Sequence, residues 1–113
     1  MQTPILVKTY DFALWLFGRT VEFPKARRHT LTNRVEAALL DFQRALTLAN
    51  RSRGERRLRA LDEADGLLDN SRFLVRFATD LGYLSGRQYE FASKQLAELG
   101  RLLGGWRKAT EKR

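Results

Sequence analysis

Ser85-Gly86-Arg87-Gln88-Tyr89-Glu90-Phe91-Ala92-Ser93-Lys94-Gln95-Leu96-Ala97-Glu98-Leu99-Gly100-Arg101-Leu102-Leu103-Gly104-Gly105-Trp106 is the stretch whose reading decides the fold. It opens on a capping-box pattern: the Ser85 hydroxyl can accept from the Gln88 amide while the Gln88 side chain reaches back. Behind the cap, Tyr89, Ala92, Leu96, Leu99, Leu103 and Trp106 recur at alternating spacings of three and four. That period belongs to a helix with one buried face. The expected helix covers 86–107, with a polar tail from Lys108 to Arg113.

The same period runs back through the chain. A helix over 55–81 carries Ala60, Ala64, Leu67, Ser71, Leu74, Ala78 and Leu81, broadened by Leu61, Leu68 and Val75. Gly82 ends it, where the chain must turn left-handed. Over 31–51, Leu31, Val35, Ala38, Phe42, Ala45 and Ala49 repeat behind Thr30 as N-cap, and Arg51-Ser52-Arg53-Gly54 breaks the pattern. The first helix, over 4–22, starts from Thr3 as cap with Pro4 in the first helical position. It repeats Val7, Tyr10, Leu14, Phe17 and Val21, and stops because the residue before Pro24 is pushed out of helical geometry. Lys25 to His29 reads as a linker. Four helices of about 20–27 residues with short connections predict an all-α fold, an antiparallel up-down four-helix bundle forming one domain over 1–113.

Composition narrows the function. The 113 residues include 21 Lys+Arg against 13 Asp+Glu, a formal net charge of +8, with 43% hydrophobic residues and no cysteine. A core of useful size is available, whereas a disulfide scaffold, a thiolate metal site and a cysteine nucleophile are excluded. No apolar run approaches the roughly 20 residues of a spanning helix. The first residues lack a signal-peptide layout. The expectation is a cytoplasmic protein with no membrane role.

A surface at +8 attracts polyanions, so nucleic acid or an acidic protein is the expected partner. With Tyr89, Leu96 and Leu103 at heptad position a and Ala92, Leu99 and Trp106 at d, Arg87, Lys94, Arg101 and Lys108 all fall at f. They form a basic row opposite the core, repeating every ~10.5 Å. That step exceeds one phosphate, and phosphate contacts carry no base information, so sequence-nonspecific binding is expected. Arg51, Arg53, Arg56, Arg57 and Arg59 make a second cluster at the second connection. Lys25, Arg27 and Arg28 make a third in the first connection, at the opposite end of an antiparallel bundle. Asp69 with Arg72, and Arg76 with Asp80, have the spacing of local helical pairs.

Helix one is apolar nearly all round. With Val7, Leu14 and Val21 at a and Tyr10 and Phe17 at d, Ile5 and Phe12 fall at f, Trp15 at b and Leu16 at c. These four large residues then point outward and predict an oligomer interface. The alternative is that a tight bundle or the N-terminal arm covers them.

Catalytic signatures are missing. His29, the one histidine, sits beside Thr30 at a helix start, and Gly104-Gly105 lacks the Lys-Ser/Thr of a phosphate loop. Asp62, Glu63, Asp65 and Asp69 lack the Glu-x-x-His pairs of a di-iron bundle. No catalytic residue, cofactor or metal is predicted, although a metalloenzyme with a hard cation held by those acids is the rival.

Phe23-Pro24-Lys25, Arg28-His29-Thr30-Leu31, Asp80-Leu81-Gly82-Tyr83-Leu84-Ser85, Gln88-Tyr89-Glu90-Phe91-Ala92-Ser93 and Leu99-Gly100-Arg101-Leu102-Leu103-Gly104-Gly105-Trp106, in this order and spacing, resemble the Avd family. These are the accessory variability proteins of diversity-generating retroelements, within the broader group of four-helix proteins related to the ribosomal-RNA intervening-sequence proteins. The resemblance implies a four-helix protomer in a ring-like homopentamer with a basic surface. It also implies partnership with the retroelement's reverse transcriptase, binding of RNA or DNA, support of error-prone copying of a template-repeat RNA into cDNA, and no catalytic residues. The expected function is such an accessory. The alternative is a protein-protein interaction module that docks on acidic surfaces without touching nucleic acid.

Overall fold

The computed structural model describes residues 3–112, with the Thr3 side chain left outside the description. It contains four α-helices, α1 (Thr3–Thr20), α2 (Asn33–Arg51), α3 (Gly54–Asp80) and α4 (Gly86–Glu111), and no strand among the described residues. The expected cap at Thr3 therefore lies outside the described side chains. The cap of α4 is as the sequence predicts: the Gln88 amide donates to Ser85 Oγ at 3.0 Å, and the Ser85 amide donates to Gln88 Oε1 at 2.8 Å. Both ends of α3 turn on glycine, with φ of +54° at Gly54 and +87° at Gly82, a region where a β-carbon is strained.

Neighbouring helices pack as in a bundle, α2 on α3, α3 on α4, α4 on α1 and α1 on α2. Asp62 pairs with Arg107 across α3 and α4, and a β-carbon at Gly100 would meet Arg72 and Leu68 of α3. Trp15 of α1 lies on Phe91 of α4 with ring centroids 4.7 Å apart. Thr20 of α1 donates to Glu36 Oε2 of α2 at 2.6 Å. Phe42, Leu46, Leu61, Leu68, Val75, Leu96 and Leu99 fill the core between the helices. The expected stripes of α2 and α4 are buried throughout, Tyr89 only partly. On α3, Leu67 is half-buried and Leu81 is exposed.

Three local expectations are corrected. Helix α1 stops at Thr20 rather than at residue 22, because two tight turns, Glu22 amide to Arg19 carbonyl and Phe23 amide to Thr20 carbonyl, bring Phe23 inward before Pro24. The supposed linker is helical: a 3-10 turn over Lys25–Arg27 and a wider π-type turn over Arg28–Thr32 lead into α2. Thr30 consequently caps nothing, and its hydroxyl lies 3.4 Å from the Arg27 carbonyl. At the other end, α4 continues past Gly104-Gly105 to Glu111, held by buried Thr110, which donates to the Trp106 carbonyl at 3.0 Å.

The largest correction concerns the phase of α1. Ile5, Phe12 and Leu16, expected to face a second subunit, are at most 2% exposed and belong to the protomer's own core. Trp15 is half-buried, stacked with Phe12 at 5.9 Å and filling the seam with α4. Conversely Val7, Tyr10, Leu14 and Val21, read as the core positions, are exposed, Val21 by 81%. The buried stripe is Ile5, Thr9, Phe12, Leu16 and Thr20. Its two threonines read as polar interruptions, but each hydroxyl is satisfied inside. Thr9 donates to the Ile5 carbonyl at 2.7 Å, and Thr20 engages Phe17 and Glu36. A hydroxyl bonded back to its own helix is buried at little cost.

The phase is testable by urea denaturation. Phe12→Ala is expected to cost about 3–5 kcal/mol, as removal of a fully buried ring does, whereas Val21→Ser stays within about 0.5 kcal/mol. A larger loss at Val21 than at Phe12 would restore the opposite phase. Ser85→Ala is expected to lose about 1 kcal/mol with the capping box.

Candidate nucleic-acid interface

The buried polar side chains are hydroxyls, of Thr9, Thr20, Ser52, Ser71 and Thr110, and no ionised side chain is buried among the described residues. The cations therefore stand outside the core, and the elements that carry them decide where.

Arg87, Lys94, Arg101 and Lys108 are distributed along α4 at the surface, as their shared heptad position predicts. The structure adds what charge counting missed. Arg101 forms a two-pronged link to Glu98, Nε to Oε1 at 2.7 Å and a terminal nitrogen to Oε2 at 2.8 Å. Lys94 lies 3.4 Å from Glu90. The Arg101 hydrogen bond holds the Glu98 carboxyl below the usual glutamate range, against an opposing effect of burial, and Arg101 is raised in turn. No ion pair involves Arg87 or Lys108 among the described residues. Half of the row is thus partly neutralised by acids one helical turn away, although exposed pairs of this kind open at little cost.

The cluster at the α2–α3 connection divides as well. Arg51, Arg53 and Arg56 are exposed. Arg59 sits 3.6 Å from Glu55. Arg57 instead serves the scaffold, since its Nε donates to the Ala49 carbonyl at 2.9 Å and its guanidinium lies 5.7 Å from the Trp106 ring centroid. It closes the carboxyl end of α2, where cations are favoured, and ties that end to α4. Ser52 donates to the Leu48 carbonyl at 2.7 Å, satisfying another carbonyl at the end of α2.

Lys25, Arg27 and Arg28 are exposed on the helical turns before α2. Arg27 Nε donates to the Tyr83 hydroxyl at 3.0 Å, and Phe23 packs on Tyr83 with centroids 5.6 Å apart. The first and third connections therefore meet. Arg87 follows closely after Tyr83, and Lys108 follows Trp106, which Arg57 covers. The α4 row accordingly starts near the Lys25–Arg28 group and ends near the Arg51–Arg59 group, in a protein 46 Å long.

Sequence reasoning did not find a groove of about 390 Å3 lined by Arg27, His29, Arg34, Phe73, Phe77 and Leu81. The signal was present, since Phe73 and Phe77 stand one position off the buried stripe of Leu74 and Ala78. A second groove of about 530 Å3 between α1 and α2 is lined by Leu6, Tyr10, Leu14, Phe17, Leu39 and Leu40, with no ionised side chain around it among the described residues. Of the acids considered for a cation, Asp62 is engaged by Arg107 and Asp69 by Arg72 at 2.6 Å; the local pair Arg76 with Asp80 also forms, at 3.2 Å. No group of three His, Asp or Glu side chains placed to hold a metal ion occurs among the described residues. No described helix is long and apolar enough to cross a membrane.

Residues 5–110 match the family described as bAvd-like. The chain belongs to that family. The match spans the four helices nearly from end to end, the Lys25–Arg28 turns and the whole α4 row included, and agrees with the resemblance carried by the short sequence strings. No curated protein matches this bAvd-like chain.

The division of the second cluster gives a measurable contrast. Arg57→Ala is expected to lower stability by about 1–2 kcal/mol through the lost carbonyl contact and the lost Trp106 face. Arg53→Ala and Arg56→Ala are expected to leave thermal unfolding nearly unchanged. A harmless Arg57→Ala would return that residue to the free cations.

Proposed function

We propose that this chain is a non-enzymatic accessory protein of a diversity-generating retroelement. It binds the reverse transcriptase and holds nucleic acid, template RNA or the RNA–cDNA hybrid, on its basic surfaces during mutagenic cDNA synthesis in the cytoplasm. The observation that carries the reading is membership of the bAvd-like family over residues 5–110. The display of cations outside a core free of ionised groups supports the nucleic-acid part.

The protomer is a single antiparallel up-down four-helix domain in this reading. In support, the pairs 62 with 107 and 72 with 100 run in opposite chain directions, and so do Trp15 with Phe91 and Lys8 with Glu98, whose carboxyl the Lys8 charge helps in small part to lower. Protomers assemble into a homo-oligomer, a pentamer by family resemblance. Once Ile5, Phe12 and Leu16 are assigned to the core, the α1–α2 groove is the face suited to that contact, because it is apolar and without ionised lining. Five copies would carry about +40, a field that steepens salt dependence. Nucleic-acid contacts are assigned to Arg87, Lys94, Arg101 and Lys108, to Arg51, Arg53, Arg56 and Arg59, and to Lys25, Arg27 and Arg28, with Arg57 a support.

The second reading, a protein-interaction module whose basic face docks on acidic surfaces of the polymerase without touching nucleic acid, draws on the same exposed cations. Undiminished capture of the reverse transcriptase after nuclease treatment, with no RNA shift by the isolated protein, would favour it.

The direct test is RNA affinity measured against salt. Charge reversal of Arg87, Lys94, Arg101 and Lys108 together is expected to flatten the logarithmic salt slope by about 2–3, at roughly 0.7 per phosphate contact on a single strand. An unchanged affinity and slope removes the row from the binding surface. Glu98→Gln, which frees Arg101, is expected to raise affinity modestly at low salt, and a fall would count against the role given to Arg101.

A further inference from the structure

Phe73 and Phe77 stand one turn apart on α3 and are 65% and 46% exposed. Their rings are nearly parallel, 8° between planes with centroids 6.0 Å apart, and so present one aromatic shelf to solvent. Fold stability gives no reason for this exposure, because the buried stripe of α3 is completed by Leu74, Val75 and Ala78 without either ring. The shelf borders the groove that runs to the turns preceding α2. Arg27, His29 and Arg34 line the same groove, and no carboxylate does among the described residues. Arg27 is held in place by the Tyr83 hydroxyl.

We propose that this groove takes an unpaired base of a single-stranded nucleic acid, stacked on Phe73 and Phe77, with the flanking phosphates met by Arg27 and Arg34. The inference rests on the nucleic-acid reading above and narrows it from any polyanion to a strand with free bases. A flat π-surface beside cations recognises a ligand that is itself flat and negatively charged, and a nucleotide outside a helix is both. Bases inside a duplex keep their faces on one another and offer none to a side chain. The α4 row, which carries no aromatic ring at its four positions, reaches phosphates alone. Charge also separates this groove from the one between α1 and α2. The latter is apolar and uncharged and suits protein, whereas this one joins aromatic area to guanidinium groups and suits a strand.

The test compares three labelled probes by fluorescence anisotropy: single-stranded oligodeoxyadenylate, a strand of equal length with abasic sites throughout, and a duplex. The wild-type protein is expected to prefer the adenylate strand over the abasic strand. In the double variant Phe73→Ala, Phe77→Ala, affinity for the adenylate strand falls about tenfold, while abasic and duplex affinities and every salt slope stay as in wild type. Phe73→Tyr with Phe77→Tyr restores the preference. Equal loss on all three probes, or no loss on any, overturns the stacking site. So does a changed sedimentation coefficient in the double variant, which would make the shelf a contact between protein copies. If the alanine variant loses helicity, the wild-type preference for bases over abasic sites decides by itself, and its absence sinks the proposal. Wild-type protein that binds none of the three probes overturns the nucleic-acid reading as a whole. Equal binding of the adenylate and abasic strands overturns only the stacked base.

Discussion

The exclusion of ionised groups from the fully buried core is the constraint on which the rest of the structure depends. Desolvating a charge without a partner costs far more than one apolar contact returns, so each stripe that meets its neighbours is built from Leu, Val, Ala, Phe and a few hydroxyls. Alanines at 38, 45 and 49 of α2 and at 60, 64 and 78 of α3 are buried and small enough for these two helices to pack closely. Long cationic side chains have no place in such a seam. With 21 Lys and Arg in 113 residues, a basic exterior is the geometric consequence of a dry interior.

Local ties then sort the cations. Some are committed within the protomer: Arg57 to a helix end and an indole, Arg107 to Asp62, and Arg72 and Arg76 to acids on their own helix. Others stand where solvent or a polyanion must satisfy them, including Arg87, Lys108, Arg51, Arg53 and Arg56. Arg57 and Arg107 tie helices to one another, whereas the Arg72 and Arg76 pairs are exposed, local and of little weight.

The parts of the fold legible in the sequence are those where one apolar stripe is flanked by charge. Phe42 in α2, Leu68 in α3 and Leu99 in α4 each sit in a stripe whose opposite face is plainly polar, so period and phase agree. Helix α1 is apolar on both faces, and its buried stripe passes through Thr9 and Thr20. Hydropathy alone therefore selects the wrong face, since the stabilising bonds of those threonines exist only once the helix has formed. The basic residues were legible by phase but not by pairing, because whether Arg101 reaches Glu98 or solvent is a matter of rotamers. Phe73 and Phe77 escaped notice for a related reason: an aromatic pair one turn apart reads as core until the neighbouring stripe is seen to be complete without it.

Helix α4 runs unbroken to Glu111 through Gly104-Gly105, and this has a mechanical corollary. Its row of four cations rides on one continuous helix, set ~10.5 Å apart by the helical rise, so their attachment points cannot close up or spread independently. The four are unequal, because Glu90 and Glu98 answer the two middle ones while Arg87 and Lys108 at the ends have no ion pair among the described residues. The row is thus a ruler of fixed pitch, not a surface that moulds itself to what it meets.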